Sequence, residues 1–428
     1  MELKYWAATD VGRMRDHNED SFLIDRQLNL FVVCDGMGGH AAGEVASTLA
    51  IHEVRQAVRQ NTDVVERFTA KDPNARADEI LTILEHSIRS ACSAIYRRAQ
   101  AEPEKRGMGT TCTVLLIAGK RGFLAHVGYW RIYLLRQNKV HQITDDHSLI
   151  NELIKRGKVT KDTIDTSPYK NYKNAVTRAV GVYENVDVDT LDFDVLPGDH
   201  YLLCTDGLHH YLREPEIPGL LRADNVTDIP KRLVQLANDG GGHDNITAVV
   251  VQVEPEPSAV ADTRIEELGR KVDVLKGMPL FKHLTYKEIM RILNITEVRD
   301  FQPGETLMQE GEPGNELMLI LDGKVKLHKD GAFITNLTSG QHLGEMALVD
   351  RWPRSASATA EERTRVLVLR RPDFVSIIRK EAPLAVKLLW SFVQVLNERL
   401  RKTTADLSGA RAEAAAVDLS DEVSFEDE

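Results

Sequence analysis

Apolar residues gather in short continuous runs through the first 253 positions, at Leu30–Cys34, Thr111–Ala118, Arg131–Arg136, Tyr201–Thr205 and Ala248–Val253. Runs of this length, rich in Val, Ile and Leu, predict strands covered on both faces. Between them, stretches such as Ile80–Ala101 have the longer period of a helix. At Glu254 the pattern stops, and EPEPSAVADT reads as a Pro- and acid-rich linker without burial periodicity. From Asp262 to Lys276 a helix is predicted, with Ile265, Leu268, Val272 and Leu275 at spacings of 3, 4 and 3. That stripe either docks on a domain or forms the seam of a homodimer through 262–276; two heptads are few for a coiled coil, which favours docking.

Residues 278–402 change character again. Short strands are punctuated by Gly304, Gly311, Gly314, Gly323, Gly331, Gly340 and Gly344, and helices follow from Pro372. Regular turn signals between short strands predict an antiparallel β-roll or jelly-roll domain with helices. After Thr403 the chain is rich in Ala, Ser and acids and poor in core formers, which predicts a disordered tail over 403–428. The expected organisation is a domain at 1–253, a linker and connecting helix at 254–277, a second domain at 278–402, and the tail.

The length of 428 residues suits this division, at ~100–200 residues per domain. The formal net charge of −11 argues against a nucleic-acid or anionic-membrane partner, since phosphate backbones are held by a surplus of Lys and Arg. Much of that charge is local: residues 403–428 contain eight acids and one base, leaving −4 for the rest. Cys34, Cys92, Cys112 and Cys204 form no CxxC pair, and Cys34 and Cys112 lie in buried-strand runs, so reduced core thiols are expected. No apolar segment of ~20 residues occurs, and the expectation is a soluble, cytoplasmic protein.

Four acidic motifs change this picture: NEDS at Asn18–Ser21, FVVCDGMGG with Asp35 and Gly36, YLLCTDGL with Asp206, and GGHDNIT with Asp244. Each places a carboxylate at the end of an apolar strand or beside glycine. One Asp-Gly alone is a turn. Several carboxylates at strand ends need a compensating positive charge, and an oxygen-only donor set suits Mg²⁺ or Mn²⁺ better than zinc.

These motifs, with TDVGRMRDHNEDS, GMGTTCTVLL, ITDDHSLI, NAVTRAVG and DNITAVVV in this order, resemble bacterial type 2C protein phosphatases over nearly all of 1–253. The resemblance implies an αββα sandwich of two antiparallel sheets flanked by helices. It also implies hydrolysis of phosphoserine and phosphothreonine on proteins, substrates of a Ser/Thr kinase, by a water that two Mn²⁺ or Mg²⁺ ions activate. By the same resemblance Asp35 bridges the ions, the Gly36 carbonyl joins one, and Asp206 and Asp244 hold the other. Glu19 acts through bound water with Asp20 in support, and Arg15 clamps the substrate phosphate. His40 is a weak candidate for an acid. Lys170 and Lys173, in TSPYKNYKN, are candidates to meet acidic substrates, or else belong to a solvated loop. One departure stands out. The family's HVGDSR is His126-Val127-Gly128-Tyr129-Trp130-Arg131 here, so the aspartate of a third metal position is missing. A tyrosine, with a pKa of ~10, is no substitute ligand near neutrality. Either the two-metal core still catalyses, or the domain is an inactive phosphoprotein-binding scaffold; the intact ligand set favours catalysis.

In the second domain, GQHLGEMALVDRWPRSASATA pairs Glu345 with Arg354 among small residues, a combination suited to a sugar hydroxyl and a phosphate. Together with FQPGETLMQEGEPGNELMLILDGKVKL, it resembles a cyclic-nucleotide-binding domain over Met278–Arg401. That resemblance implies Glu345 on the ribose, Arg354 on the cyclic phosphate, and Gly344, Ala347, Ser355 and Ala356 lining the pocket, with cAMP slightly favoured over cGMP. A degenerate roll kept for dimerisation is the weaker alternative, since both Glu345 and Arg354 are intact. No helix-turn-helix follows Arg401, which speaks against a transcription regulator.

Overall fold

The computed structural model describes residues 1–38, 42–160, 162–172, 175–222, 225–255 and 259–423. The chain divides into two compact units, Met1–Glu267 and Leu268–Glu428.

Among the described residues the first unit holds eleven strands, β1 (Leu3–Asp10), β2 (Asp20–Asp25), β3 (Leu30–Met37), β4 (Gly109–Thr110), β5 (Cys112–Ala118), β6 (Arg121–Val127), β7 (Arg131–Arg136), β8 (Lys139–Gln142), β9 (Asp189–Asp194), β10 (His200–Cys204) and β11 (Ile246–Val253). One sheet runs β1-β11-β10-β7-β8 and the other β2-β3-β5-β6-β9, with antiparallel pairing throughout. The continuous apolar runs have the expected consequence, since every residue of β5 and β10 is buried. Helices α1 (Ala42–Gln60), α2 (Thr62–Thr69) and α3 (Ala77–Ala101) pack an apolar face on the second sheet, where Ala46, Val54, Leu84 and Ile88 join Val32 and Val114 in one core. The short α4 (Leu149–Lys155), α5 (Asp206–His209) and α6 (Ile217–Leu221) precede α7 (Ile229–Asp239), whose Leu233 and Ala237 join Leu202 and Val250 of the first sheet. This is the αββα sandwich the motifs imply. All four cysteines are buried and free.

Helix α8 (Ala259–Gly277) begins three residues before the expected start. Its Leu268, Val272 and Leu275 are 8%, 8% and 0% exposed, and Ile265 is half-buried. Among its described residues the second unit continues with α9 (Tyr286–Asn294) and eight strands: β12 (Thr296–Phe301), β13 (Thr306–Met308), β14 (Glu316–Asp322), β15 (Lys324–Lys329), β16 (Ala332–Thr338), β17 (His342–Leu343), β18 (Ser357–Ala360) and β19 (Thr364–Arg370). They form two four-stranded sheets, β12-β19-β14-β17 and β13-β18-β15-β16, around a core that includes Met318, Ile320, Val325 and Val366. Helix α10 (Met346–Val349) interrupts the roll, and α11 (Arg371–Lys380) and α12 (Ala382–Val423) follow it.

The end of the chain differs from the expectation of disorder. The backbone of α12 is helical to Val423, and only 424–428 lie outside the described residues. The segment lacks core formers, but alanine is the best helix former and the sequence after Thr403 is rich in it. No described helix is long and apolar enough to cross a membrane.

Candidate active site

The site lies where strand ends of both sheets converge. Antiparallel pairing of β2 with β3 sets Asp20 directly opposite Asp35, two acids on neighbouring strands. Pairing of β10 with β11 brings together the start of α5, which carries Asp206, and the turn before β11, which carries Asp244. A Cβ at Gly207 would lie 2.0 Å from the Asn245 carbonyl oxygen, so only glycine lets the two turns close. Arg15 reaches across from the loop after β1, its Nη2 donating to Asp244 Oδ2 at 2.9 Å. A cavity of about 510 Å³ opens here, lined by Arg15, Glu19, Asp35, Gly36, Tyr129 and Asp244 among others. Asp20 and Asp206 are buried beside it.

Electrostatics at this point are strained. Burial raises the Asp35 carboxyl well above the usual carboxylate range, and the charges of Asp206 and Asp244 add to it. Burial and the charge of Asp35 do the same to Asp20. Burial and Asp244 push Asp206 up to about 6. Glu19 is raised mainly by burial. Asp20 Oδ2 accepts from Thr247 Oγ1 at 2.7 Å, whereas its buried Oδ1 has no partner among the described residues. These carboxylates fit a hard divalent cation in chemistry: oxygen donors, buried, and mutually repelling.

Tyr129 is bonded to one of these carboxylates. Its hydroxyl donates to Asp35 Oδ2 at 3.2 Å, and burial with the nearby carboxylates raises its own pKa, so it remains a neutral donor. Among the described residues, no three His, Cys, Asp or Glu side chains stand around one point as an ion would require. The loop that carries Tyr129 is pinned on both sides. His209 Nε2 contacts the Tyr129 carbonyl at 3.1 Å, His147 Nδ1 accepts from the Gly128 N–H at 3.1 Å, and Trp130 is fully buried.

Sequence reasoning passed over the residues that hold this frame. Asn245 Oδ1 accepts from the Glu19 N–H at 2.8 Å while its Nδ2 donates to the carbonyls of Val11 and His17, so one side chain ties the Arg15–Glu19 loop to the Asp244 turn. Thr111 Oγ1 likewise accepts from the Asp35 N–H at 2.9 Å. The DN pair of DNIT was a signal for Asn245; nothing local marks Thr111. His40 and Lys173 lie outside the described residues, and Lys170 sits in a short 3₁₀ turn, Lys170–Tyr172.

In the second unit, Arg354 is wedged between two glycines. A Cβ on Gly314 or Gly344 would approach its guanidinium to 2.5 or 2.3 Å. Arg354 Nη2 donates to the Glu316 carbonyl at 2.9 Å and Nη1 to the Gly344 carbonyl at 3.3 Å, with burial lowering its pKa. Glu345 is buried at the start of α10, its Oε2 3.8 Å from His342 Nε2. Ala347 and Ala356 are buried nearby in sequence, and Ser355 is exposed.

A two-sheet sandwich with acids gathered at its strand ends, followed by a β-roll with a Glu–Arg cassette, defines a phosphatase-type domain joined to a nucleotide-binding module. Residues 13–258 match the family described as protein phosphatase 2C, and residues 298–381 match the cyclic nucleotide-binding domain. The chain belongs to the protein phosphatase 2C family. It is 36% identical over 251 residues to the serine/threonine protein phosphatase PstP of Mycobacterium tuberculosis, which takes in 59% of this chain and 45% of PstP. It is also 36% identical over 248 residues to the serine/threonine phosphatase stp of Listeria welshimeri, across 57% of this chain and 93% of that protein. The crystal structure of the M. tuberculosis serine/threonine phosphatase PstP/Ppp matches with a TM-score of 0.51 at 36% identity, covering 59% of this chain and 99% of that one. The chain thus spans less than half the length of PstP and nearly all of the Listeria protein.

Proposed function

We propose that the first domain, residues 1–253, hydrolyses phosphoserine and phosphothreonine on proteins with divalent cations, and that a cyclic nucleotide bound in 278–402 regulates it through the 262–276 helix. The observation that carries the first part is the group of acids Asp20, Asp35, Asp206 and Asp244, each of the first three with a carboxyl raised by burial and by its neighbours. Ionised, such a group is electrostatically unfavourable unless cations occupy it.

On this reading Asp35, the Gly36 carbonyl, Asp206 and Asp244 hold two Mn²⁺ or Mg²⁺ ions, and Glu19 and Asp20 order water beside them. The ions supply a nucleophilic water and stabilise charge on the phosphoryl group. Arg15 swings from Asp244 to pair with the substrate phosphate, a bidentate contact that a half-exposed guanidinium is free to make. Asn245 keeps the Glu19 backbone in register with Asp244. The phosphate cassette of Glu345 and Arg354, with Gly344, Ala347, Ser355 and Ala356, takes the ribose and cyclic phosphate, cAMP in preference to cGMP.

The second reading is a scaffold that binds phosphoproteins without hydrolysing them. The Tyr129 hydroxyl on Asp35 is the observation in its favour. Mn²⁺-dependent hydrolysis of phosphothreonine peptides by the wild type, Asp35→Asn and Tyr129→Asp separates the two. Turnover that disappears in Asp35→Asn supports the enzyme. Wild-type turnover no higher than that of Asp35→Asn leaves the scaffold.

A further inference from the structure

Helix α8 belongs to both units. It starts at Ala259, within Met1–Glu267, and ends at Gly277, within Leu268–Glu428. Beyond that boundary its Leu268, Val272 and Leu275 are buried. Before it, one side chain grips the sandwich: Arg264 Nη2 donates to Asp194 Oδ1 at 2.6 Å and to the Lys120 carbonyl at 3.2 Å. The two side chains are 28% and 33% exposed, so water and salt screen the pair less than they would a surface one.

Asp194 is the last residue of β9, the edge strand of its sheet. The strand is hydrogen-bonded to a single neighbour, β6, in a register that runs from Arg121 opposite Asp194 to His126 opposite Asp189. What holds its two ends therefore matters to where it lies. At the far end Asp189 Oδ1 accepts from Arg178 Nη1 at 2.8 Å, and Asp189 Oδ2 lies 3.4 Å from His147 Nε2. His147 in turn holds the loop of Tyr129. Its Nδ1 accepts from the Gly128 N–H at 3.1 Å, and its own N–H donates to the Gly128 carbonyl at 2.7 Å. A neutral imidazole that accepts at Nδ1 carries its proton on Nε2, the atom that faces Asp189, so this carboxylate favours the tautomer the loop needs. The residue after Gly128 is Tyr129, whose hydroxyl donates to Asp35 Oδ2 at 3.2 Å.

We infer that Arg264 is a positioning residue for the phosphatase site. By holding the Asp194 end of β9 it keeps Asp189 on His147, and so keeps the Tyr129 hydroxyl on Asp35, where it occupies a lone pair that a cation would use. The bistable element is the Tyr129 loop, on or off Asp35, and the clamp biases it against the cation. Because α8 continues into the second unit, it gives a ligand of that unit a handle on this loop. The consequence for cations rests on the reading of Asp35 as a metal ligand; the linkage from Arg264 to the loop does not.

Hydrogen exchange read by mass spectrometry on the full chain tests the linkage, and Mn²⁺ calorimetry tests its consequence. In Arg264→Ala, the amides of β9 and of 128–130 are expected to exchange severalfold faster. Those of β10, in the other sheet, are expected to keep their rate, which separates local release from a general loss of stability. Arg264→Lys restores a cation at Asp194 and should return both segments towards the wild type. Arg76→Ala, which removes an exposed ion pair with Asp78 in the same unit, should change neither. Mn²⁺ affinity is expected to rise severalfold in Arg264→Ala, and not to change when that substitution is added to Tyr129→Phe, where no donor is left to release. Unaltered exchange at 128–130, acceleration throughout the unit, failure of the lysine to restore it, or an equal gain in affinity with and without the Tyr129 hydroxyl would each overturn the proposal. Absence of Mn²⁺ binding in both the wild type and Tyr129→Phe would instead sink the metal reading, and the exchange rates would still decide whether Arg264 positions the loop.

Discussion

A hydrogen-bond donor and a divalent cation compete for the same lone pairs of a carboxylate, and Tyr129 sets up that competition at Asp35. The neutral phenol donates at 3.2 Å from a loop whose backbone is held by His147 and His209. Cation binding therefore has to displace this bond or work around it. Tyr129→Phe removes the donor and keeps the ring, so Mn²⁺ affinity measured by calorimetry is expected to rise by about tenfold, the worth of one hydrogen bond to a charged group. Asp35→Asn in the same assay should abolish binding. Protons compete as well. The Asp206 carboxyl is raised to about 6 by burial and by Asp244. At low pH both folded and unfolded chains hold this proton; as pH rises from ~4 to ~6 the unfolded chain gives it up first, so the metal-free protein loses stability over that window. The gain in melting temperature from Mn²⁺ is therefore expected to be larger at pH ~7.5 than at pH ~5. At this scale Asp35, Asp206 and Asp244 were legible because each interrupts or ends an apolar run. Thr247 was not, because it acts on Asp20 more than 200 positions away, and the DN pair that marks Asn245 gives no sign that its side chain holds Glu19 across a similar distance.

Among the elements, a second close approach in the site is between α1 and β3. A Cβ on Gly36 would sit 2.0 Å from the Gly43 carbonyl oxygen, and one on Gly43 would sit 2.4 Å from Glu19 Oε1. The missing side chains let the first turn of α1 rest on the strand that carries Asp35, and the Gly43 amide bonds Glu19. Gly43→Ala would force Glu19 and the Gly36 backbone apart. The expected result is a loss of about 1–3 kcal/mol in urea unfolding, the usual range for an overpacked site, together with weaker Mn²⁺ binding. An alanine at Gly219, where a Cβ meets nothing within 4 Å, is the control and should change neither. Elements were read from the sequence where burial is continuous. Thus β5 and β10 stand out, whereas β1 and β9, with only partial burial along their length, give no run to detect. The segment after Thr403 offers no burial pattern to read, and its alanine content is what accords with the helical backbone that runs to Val423.

For the whole molecule, the question is how the two units communicate, and linkage sets the terms. A nucleotide changes hydrolysis in the first unit only if it binds two states of the chain with different affinity, and coupling of ~1–3 kcal/mol, or roughly 5–150-fold, is typical. The Arg354 guanidinium rests on the carbonyls of Glu316 and Gly344, bonds that an anionic phosphate would outcompete because its oxygens carry charge. The net charge of −11 does not oppose such a ligand, since −7 of it lies in residues 403–428. Saturating cAMP is therefore expected to change kcat/KM for a phosphothreonine peptide severalfold at fixed Mn²⁺. Arg354→Ala should lose that response and keep the basal rate, because Arg354 is remote in sequence from every residue assigned to the phosphatase site. Reciprocity adds a second reading of the same coupling. Whatever factor cAMP applies to the binding affinity for a non-hydrolysable phosphopeptide must also appear in the affinity for cAMP when that peptide is bound. Calorimetry run in both directions measures both factors. Equal cAMP affinity with and without the peptide, in a protein whose Arg354→Ala variant binds no cAMP, would separate a working nucleotide site from a regulated enzyme.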